Sequence, residues 1–282
     1  MQIAIASGKG GTGKTTIATN LALTLRGEGK RVRYLDCDVE EPNGHIFLKP
    51  QIQWSEVVSI PVPYVDPARC NGCGQCGHIC QFSAIVCINQ KALTFPELCH
   101  GCGGCTLICP EKAISETPRE VGLVEEGSQD GVEFVQGKLR IGEAMAGPLI
   151  REVKRHILTE GLTIIDVPPG TSCPVIEAIK GVDFVLLVTE PTPFGLHDLK
   201  LAVEVVRALD IPLAVLLNRC DLGDGTLRAY CSEEKIDILC EIPEDRRIAL
   251  AYSRGEMVIR AVPEYLPKLR ALLAAMREQM KR

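Results

Sequence analysis

The chain has 282 residues, a formal charge of −5 and a pI near 5.7, a balance that gives no sign of the basic surface nucleic-acid binding uses. Hydrophobic residues make up 46%, enough for the core of one large α/β domain plus something small, and no run of 18 apolar residues offers a membrane span. Fourteen cysteines, with no charged and apolar leader before the first strand, lead to the expectation of a cytoplasmic protein whose thiols bind metal rather than pair as disulfides.

Residues 2–6 (QIAIA) read as one buried parallel strand. Gly8-Lys9-Gly10-Gly11-Thr12-Gly13-Lys14-Thr15-Thr16 follows, and then a helix face at Ile17, Ala18, Leu21, Ala22 and Leu25. Strand, glycine loop and helix form the context in which G-x-x-x-x-G-K-[ST], here Gly8 to Thr15, cradles phosphates. Backbone N–H groups and the helix N-terminus meet the phosphate oxygens. Lys14 is expected to reach the β- and γ-phosphates, and the Thr15 hydroxyl to ligate Mg²⁺. Lys9, directly after Gly8, makes the loop unusual. The K-G-G-T-G-K-T spacing resembles the deviant P-loop of the MinD/ParA/nitrogenase-iron-protein family of ATPases. The resemblance implies ATP and ADP as ligands, and a homodimer, or a heterodimer with a similar ATPase, in which the early lysine reaches the partner's nucleotide.

A second strand, residues 31–36, delivers Asp36 and Asp38 to the C-terminal sheet edge, where ligands of open parallel sheets sit. D-x-D resembles switch I of the same family, which implies that Asp38 orients the attacking water. Composition changes at Ile60, and the proline-rich IPVPYVDPARC reads as an extended linker. Two cysteine runs follow, Cys70-x2-Cys73-x2-Cys76-x3-Cys80 and Cys99-x2-Cys102-x2-Cys105-x3-Cys109-Pro110. They form an internal repeat offset by 29 residues, with the spacing of a two-cluster bacterial ferredoxin. Three thiolates of one run converge on one cubane and the fourth crosses to the other. Cys70, Cys73, Cys76 and Cys109 are therefore assigned to one [4Fe–4S] cluster, and Cys80, Cys99, Cys102 and Cys105 to the second. Zinc does not explain two copies of a four-cysteine run. Gln81 stands where the pattern has proline, which alters a turn but removes no ligand. Cys87 has no spaced partner and reads as a buried apolar residue; His78 and His100 read as neighbours of the clusters.

EVGLVEEG and KLRIGEAM alternate like strands, and residues 147–160 have helical periodicity. LTIIDVPPG (162–170) is an apolar strand ending in Asp166, a Walker-B-type carboxylate that holds the Mg²⁺ shell through water. Pro168-Pro169-Gly170 resembles switch II of the Mrp-type iron–sulfur carriers, which implies that the Gly170 N–H senses a γ-phosphate. Cys173 just beyond reads as a packing residue, with a transient metal or redox role as the alternative. Two more buried strands lie at 184–192 and 213–221, with a helix at 197–209 between them. Asn218 closes the latter strand, and its amide matches the N6 and N7 edge of adenine. Arg219 stands where a guanine-specific N-K-x-D has lysine. LCEIPED (239–245) resembles the family's last strand, where residues around Pro243 flank the base. The final helix (264–282) is amphipathic and is expected to pack on the sheet rather than bind membrane.

The expected fold is α/β, a doubly wound parallel-sheet P-loop NTPase of residues 1–59 and 117–282, with an inserted ferredoxin module at 60–116. Three functions compete: an ATPase gating electron transfer through two [4Fe–4S] clusters for metallocofactor or iron–sulfur assembly, a cluster carrier of the Mrp type, and a MinD-like positioning ATPase. Eight thiolates on two oxidised cubanes add a charge of about −4, so a redox or metallocofactor-assembly partner would dock through a basic face.

Overall fold

A computed structural model describes residues 1–281, which fall into two compact units. The first comprises Met1–Glu56, Val124–Lys138 and Leu149–Arg282; the second comprises Val57–Leu123 and Leu139–Pro148.

The chain opens with β1 (Gln2–Ala6), α1 (Lys14–Gly27), β2 (Val32–Asp36), α2 (Gly44–Leu48) and β3 (Gln51–Val65). Within the second unit come α3 (Gln75–Ile79), β4 (Ile85–Ile88), β5 (Lys91–Thr94) and α4 (Gly104–Ile108). The chain returns through β6 (Ile114–Gln129) and β7 (Val132–Leu139), joined by the two-residue turn Asp130-Gly131, both at positive φ. Then α5 (Gly147–Lys154), β8 (Leu162–Asp166), α6 (Cys173–Ile179), β9 (Phe184–Thr189), α7 (Pro193–Ala208) and β10 (Leu213–Asn218) alternate. The chain closes with α8 (Thr226–Glu233), β11 (Ile238–Ile242), α9 (Arg246–Ser253), α10 (Val258–Ala261) and α11 (Tyr265–Gln279).

Nine strands make one sheet in the order β11-β10-β9-β1-β8-β2-β7-β6-β3. From β11 to β7 every pairing is parallel. Parallel strands are covered on both faces, so they read as continuous apolar runs rather than alternating ones. Phe184–Thr189 is buried at every position. The main core lies where α1 and α11 cover this sheet, and Leu269, Leu272, Leu273 and Met276 of α11 are part of it. The apolar stripe of the last helix is thus spent on packing. Among the described residues no helix is long and apolar enough to cross a membrane.

Two local readings change. Residues 60–65 are not a linker but the end of β3, the edge strand of the sheet. Pro61 and Pro63 cannot donate to a ladder, and a sheet edge is where that loss is tolerated. The helix expected over 147–160 stops at Lys154, and the chain leaves it through i→i+3 bonds from His156 to Val153 and from Ile157 to Lys154.

The second unit has a small core of Cys76, Ile85 and Ile114, with Val65, Ala92, Cys80, Cys105 and Cys109 packed against it. The sequence repeat is a structural one. Both α3 and α4 start after a left-handed glycine, Gly74 and Gly103, and end on an extended cysteine, Cys80 and Cys109. β4 and β5 form an antiparallel hairpin turned by Asn89 and Gln90, both at positive φ.

Candidate functional site

The glycine loop leads from β1 into α1 and lines one side of a cavity of about 380 Å³ with Gly10, Gly11, Gly13, Lys14, Thr15 and Thr16. Gly13 has φ 97°, a conformation that strains any side chain, and a Cβ there would also push the Asn218 amide, 2.8 Å away, off its place. Lys14 is buried and Thr15 half-buried, both opening the first turn of the helix. Gly8, Lys9 and Thr12 do not line the cavity; the Thr12 hydroxyl is buried without a partner.

Beside the loop, β2 and β8 pair in parallel register and bring Asp36 level with Asp166. Both are fully buried. Burial and mutual repulsion push the Asp36 carboxyl well up, and burial raises that of Asp166 while Lys14 and the Thr15 and Tyr34 hydroxyls oppose it. Tyr34, two residues before Asp36 on the same strand face, donates its hydroxyl to Asp166 Oδ2 at 2.8 Å. Asp166 Oδ1 is left buried with no hydrogen-bond partner. Asp36 accepts from the Gly44 N–H at 2.9 Å and the Asp38 N–H at 3.2 Å, which holds the segment after β2. Asp38 lines the cavity, and burial pushes its carboxyl up to about 6 against the pull of Lys14. An orphaned carboxylate oxygen, a second carboxylate and a threonine hydroxyl are oxygen donors of the kind Mg²⁺ takes.

Lys9 forms an ion pair with Glu190 of its own chain. The other Glu190 oxygen accepts from Arg219 at 3.1 Å, and Arg219 also reaches Glu244 at 3.0 Å. Glu190, one residue beyond β9, was not singled out from sequence; a carboxylate at the end of an apolar strand was the available signal. Gly170 has φ 96° and donates its N–H to the Ser7 carbonyl at 3.0 Å, so it is engaged rather than open.

At the far end the cavity is lined by Asn218, Ile242, Pro243, Tyr252 and Tyr265. Asn218 Nδ2 donates to the Thr12 carbonyl at 2.9 Å, and its Oδ1 accepts from the Arg219 N–H at 3.1 Å. These partners fix which end of the amide is which and leave each end one further hydrogen bond.

In the second unit the eight motif cysteines divide between two cavities. One is lined by Cys70, Cys73, Cys76 and Cys109, the other by Cys80, Cys99, Cys102 and Cys105. Cys87, expected to be simply buried, is half-buried and lines the first. Phe82 and His100 stack against each other and line the second. Cys173 is exposed at the start of α6. Among the described residues no three His, Cys, Asp or Glu side chains are grouped so as to hold a single metal ion.

The family model described as CobQ/CobB/MinD/ParA nucleotide binding domain matches residues 3–258. The chain belongs to this family. Among relatives of this CobQ/CobB/MinD/ParA chain, an uncharacterized protein of Methanocaldococcus jannaschii is 31% identical over 92% of both chains. A protein of Pyrococcus horikoshii named an iron–sulfur cluster carrier protein is 24% identical over 92% of this chain and 79% of its own. Among solved structures, the septum site-determining protein MinD of Pyrococcus horikoshii, complexed with Mg-ADP, aligns with a TM-score of 0.58 at 20% identity, covering 98% of this chain and 94% of that one. That likeness shows a shared α/β P-loop NTPase fold with a mostly parallel sheet. Members of the CobQ/CobB/MinD/ParA family bind nucleotide, and the cavity at the glycine loop is where this chain has the groups to do so.

Proposed function

We propose that the chain binds and hydrolyses Mg²⁺-ATP and couples its nucleotide state to electron transfer through two [4Fe–4S] clusters, in metallocofactor or iron–sulfur assembly. The observation that carries this reading is the pairing of thiols around the two cavities of the second unit. Each cavity is lined by three cysteines of one run and the last cysteine of the other. That crossing suits two cubanes, each with four thiolate ligands and an apolar lining. Bound there, the clusters supply one-electron transfer at low potential. Cys70, Cys73, Cys76 and Cys109 would hold one; Cys80, Cys99, Cys102 and Cys105 the other. Residues 60–116 are read as a ferredoxin module inserted into the ATPase.

The chain's own residues would do the remaining work. Gly10, Gly11, Gly13, Lys14, Thr15 and Thr16 would hold the phosphates, Thr15 and Asp166 the Mg²⁺ shell, Asp38 the attacking water, and Asn218 and Pro243 the base. The segment after β2 that carries Asp38 continues through α2 into β3, which enters the second unit at Val57. Movement after Asp38 on loss of a γ-phosphate would therefore be felt along the covalent path to the thiols. The dimer is part of the proposal: once nucleotide is bound, Lys9 leaves Glu190 and serves the neighbouring copy.

The test is anaerobic purification with iron and sulfide counts, then redox titration with ADP and with a non-hydrolysed ATP analogue. About eight irons per chain and a nucleotide-dependent potential are expected. Material without iron, or potentials indifferent to nucleotide, overturns it. A second reading, cluster transfer, is favoured by the relatives named iron–sulfur cluster carriers and by exposed Cys173, four residues along the chain from Pro169 of the nucleotide cavity. Iron leaving to an apo-acceptor separates it from electron transfer.

A further inference from the structure

Five cysteines, not four, line the first thiol cavity. The fifth, Cys87, belongs to neither repeated run and comes from β4. Four thiolates saturate a cubane, so a fifth has no place in the resting cluster. Its position decides what it can do. Cys87 Sγ donates to the Gly72 carbonyl at 3.3 Å. Its Cβ lies 3.7 Å from where a side chain on Gly74 would begin. Gly72 and Gly74 flank Cys73, so the spare thiol stands against the turn that presents Cys73. Its backbone is held on both sides, by the pairing of Cys87 with Ala92 and by α3, where a Cβ on Gly77 would meet the Cys87 nitrogen at 3.4 Å. Cys73 itself is exposed, whereas Cys76 is buried and Cys70 and Cys109 are half-buried. Of the four, Cys73 is the ligand most open to oxidants.

The internal repeat supplies a comparison. Glu116 stands 29 residues after Cys87, and its carboxylate oxygen lies 3.1 Å from where a side chain on Gly103 would begin. The second cavity thus has a carboxylate where the first has a thiol, and iron–sulfur clusters take thiolate in preference.

We infer that Cys87 is a reserve ligand of the first cluster, built to take over the iron held by Cys73 when that thiolate is lost. The inference rests on the two-cluster reading. In the exchange the iron–sulfur bond to Cys73 breaks and one to Cys87 forms. The Cys87 proton passes to the departing Cys73 thiolate, and no electron moves. The rigid strand beneath Cys87 keeps its thiol at the cavity, so exchange needs only a rotation of one side chain and a small shift of the turn.

The experiment compares iron and sulfide content, and the electron paramagnetic resonance signal of a three-iron cluster after mild oxidation, in anaerobically loaded full-length variants. Cys73→Ala is expected to hold the wild-type iron content with no three-iron signal beyond it, whereas Cys87→Ala is expected to hold the wild-type iron content before oxidation and to show more of that signal than the wild type after it. Cys73→Ala/Cys87→Ala, and separately Cys102→Ala at the repeat position, are expected to lose iron and show that signal. Alkylation with iodoacetamide gives a second readout on loaded protein: Cys87 is modified in the wild type and protected in Cys73→Ala. Iron loss in Cys73→Ala equal to that of the double variant overturns the inference, as does alkylation of Cys87 in loaded Cys73→Ala. A wild-type chain that takes up no iron overturns the two-cluster reading itself, and the reserve role with it.

Discussion

The Tyr34 hydroxyl donates to one oxygen of Asp166 at 2.8 Å and leaves the other oxygen buried with no partner. The two residues are 132 positions apart and meet because β2 and β8 run side by side. A buried carboxylate oxygen without a partner is costly, and a cation or its water shell is what relieves it. Tyr34 thus decides which oxygen is offered.

Tyr34→Phe removes this bond while keeping the ring that stacks on Phe134. The expected result is a several-fold rise in the Mg²⁺ concentration needed for nucleotide binding and a loss of about 1 kcal/mol in stability. Calorimetric titration across Mg²⁺ concentrations checks it. An unchanged Mg²⁺ requirement would show that Asp166 is oriented by other contacts.

Burial pushes the Asp38 carboxyl up to about 6 and that of Asp36 higher than its ordinary value. A carboxyl whose folded pKa exceeds its unfolded value stabilises the fold when protonated, and that stability is lost as pH rises through the folded pKa. The chain without nucleotide should therefore melt at a higher temperature at pH 5.5 than at pH 7.5. Asp38→Asn should stabilise it at pH 7.5 by roughly 1–2 kcal/mol and flatten the dependence. The carboxylates held low, such as Asp245 at about 2 beside Arg247, act in the opposite sense only in far more acidic solution. Thermal melts at the two pH values, with and without Mg²⁺-ADP, test the sign.

Lys9 pairs with Glu190 and does not line the nucleotide cavity, whereas Lys14 is buried at its wall. Lys14→Ala should weaken ADP binding by ~100-fold, the scale of losing a buried charged hydrogen-bond donor to phosphate. Lys9→Ala should leave ADP affinity within ~3-fold, since the partly buried ion pair it loses lies outside the nucleotide cavity, yet abolish the proposed nucleotide-dependent dimer formation. Calorimetry and light scattering of the two variants decide this.

Asn218 is held at both ends of its amide by Thr12 and Arg219. Asn218→Ala should lower ATP affinity by ~10-fold and narrow the preference for adenine over guanine nucleotides, because one oriented amide contact is worth about 1–3 kcal/mol of discrimination. Competition binding of ATP and GTP to the variant measures it.

The glycine loop, the strand–helix alternation and the paired cysteine runs were legible because their chemistry is local. A phosphate cradle needs contiguous backbone N–H groups, and a C-x2-C turn sets its own sulfur spacing. The parallel sheet was legible as well, since strands covered on both faces become uninterrupted apolar runs. Tertiary structure alone decided that Glu190 meets Lys9 from 181 residues away, that Tyr34 meets Asp166, and that Cys87 joins four other thiols. It also made an edge strand of the proline-rich segment and ended α5 at Lys154. For the three pairings and the edge strand the reason is common: which side chain lies opposite which, and which strand has a free edge, is set by strand order and register, and periodicity within one segment carries no record of either.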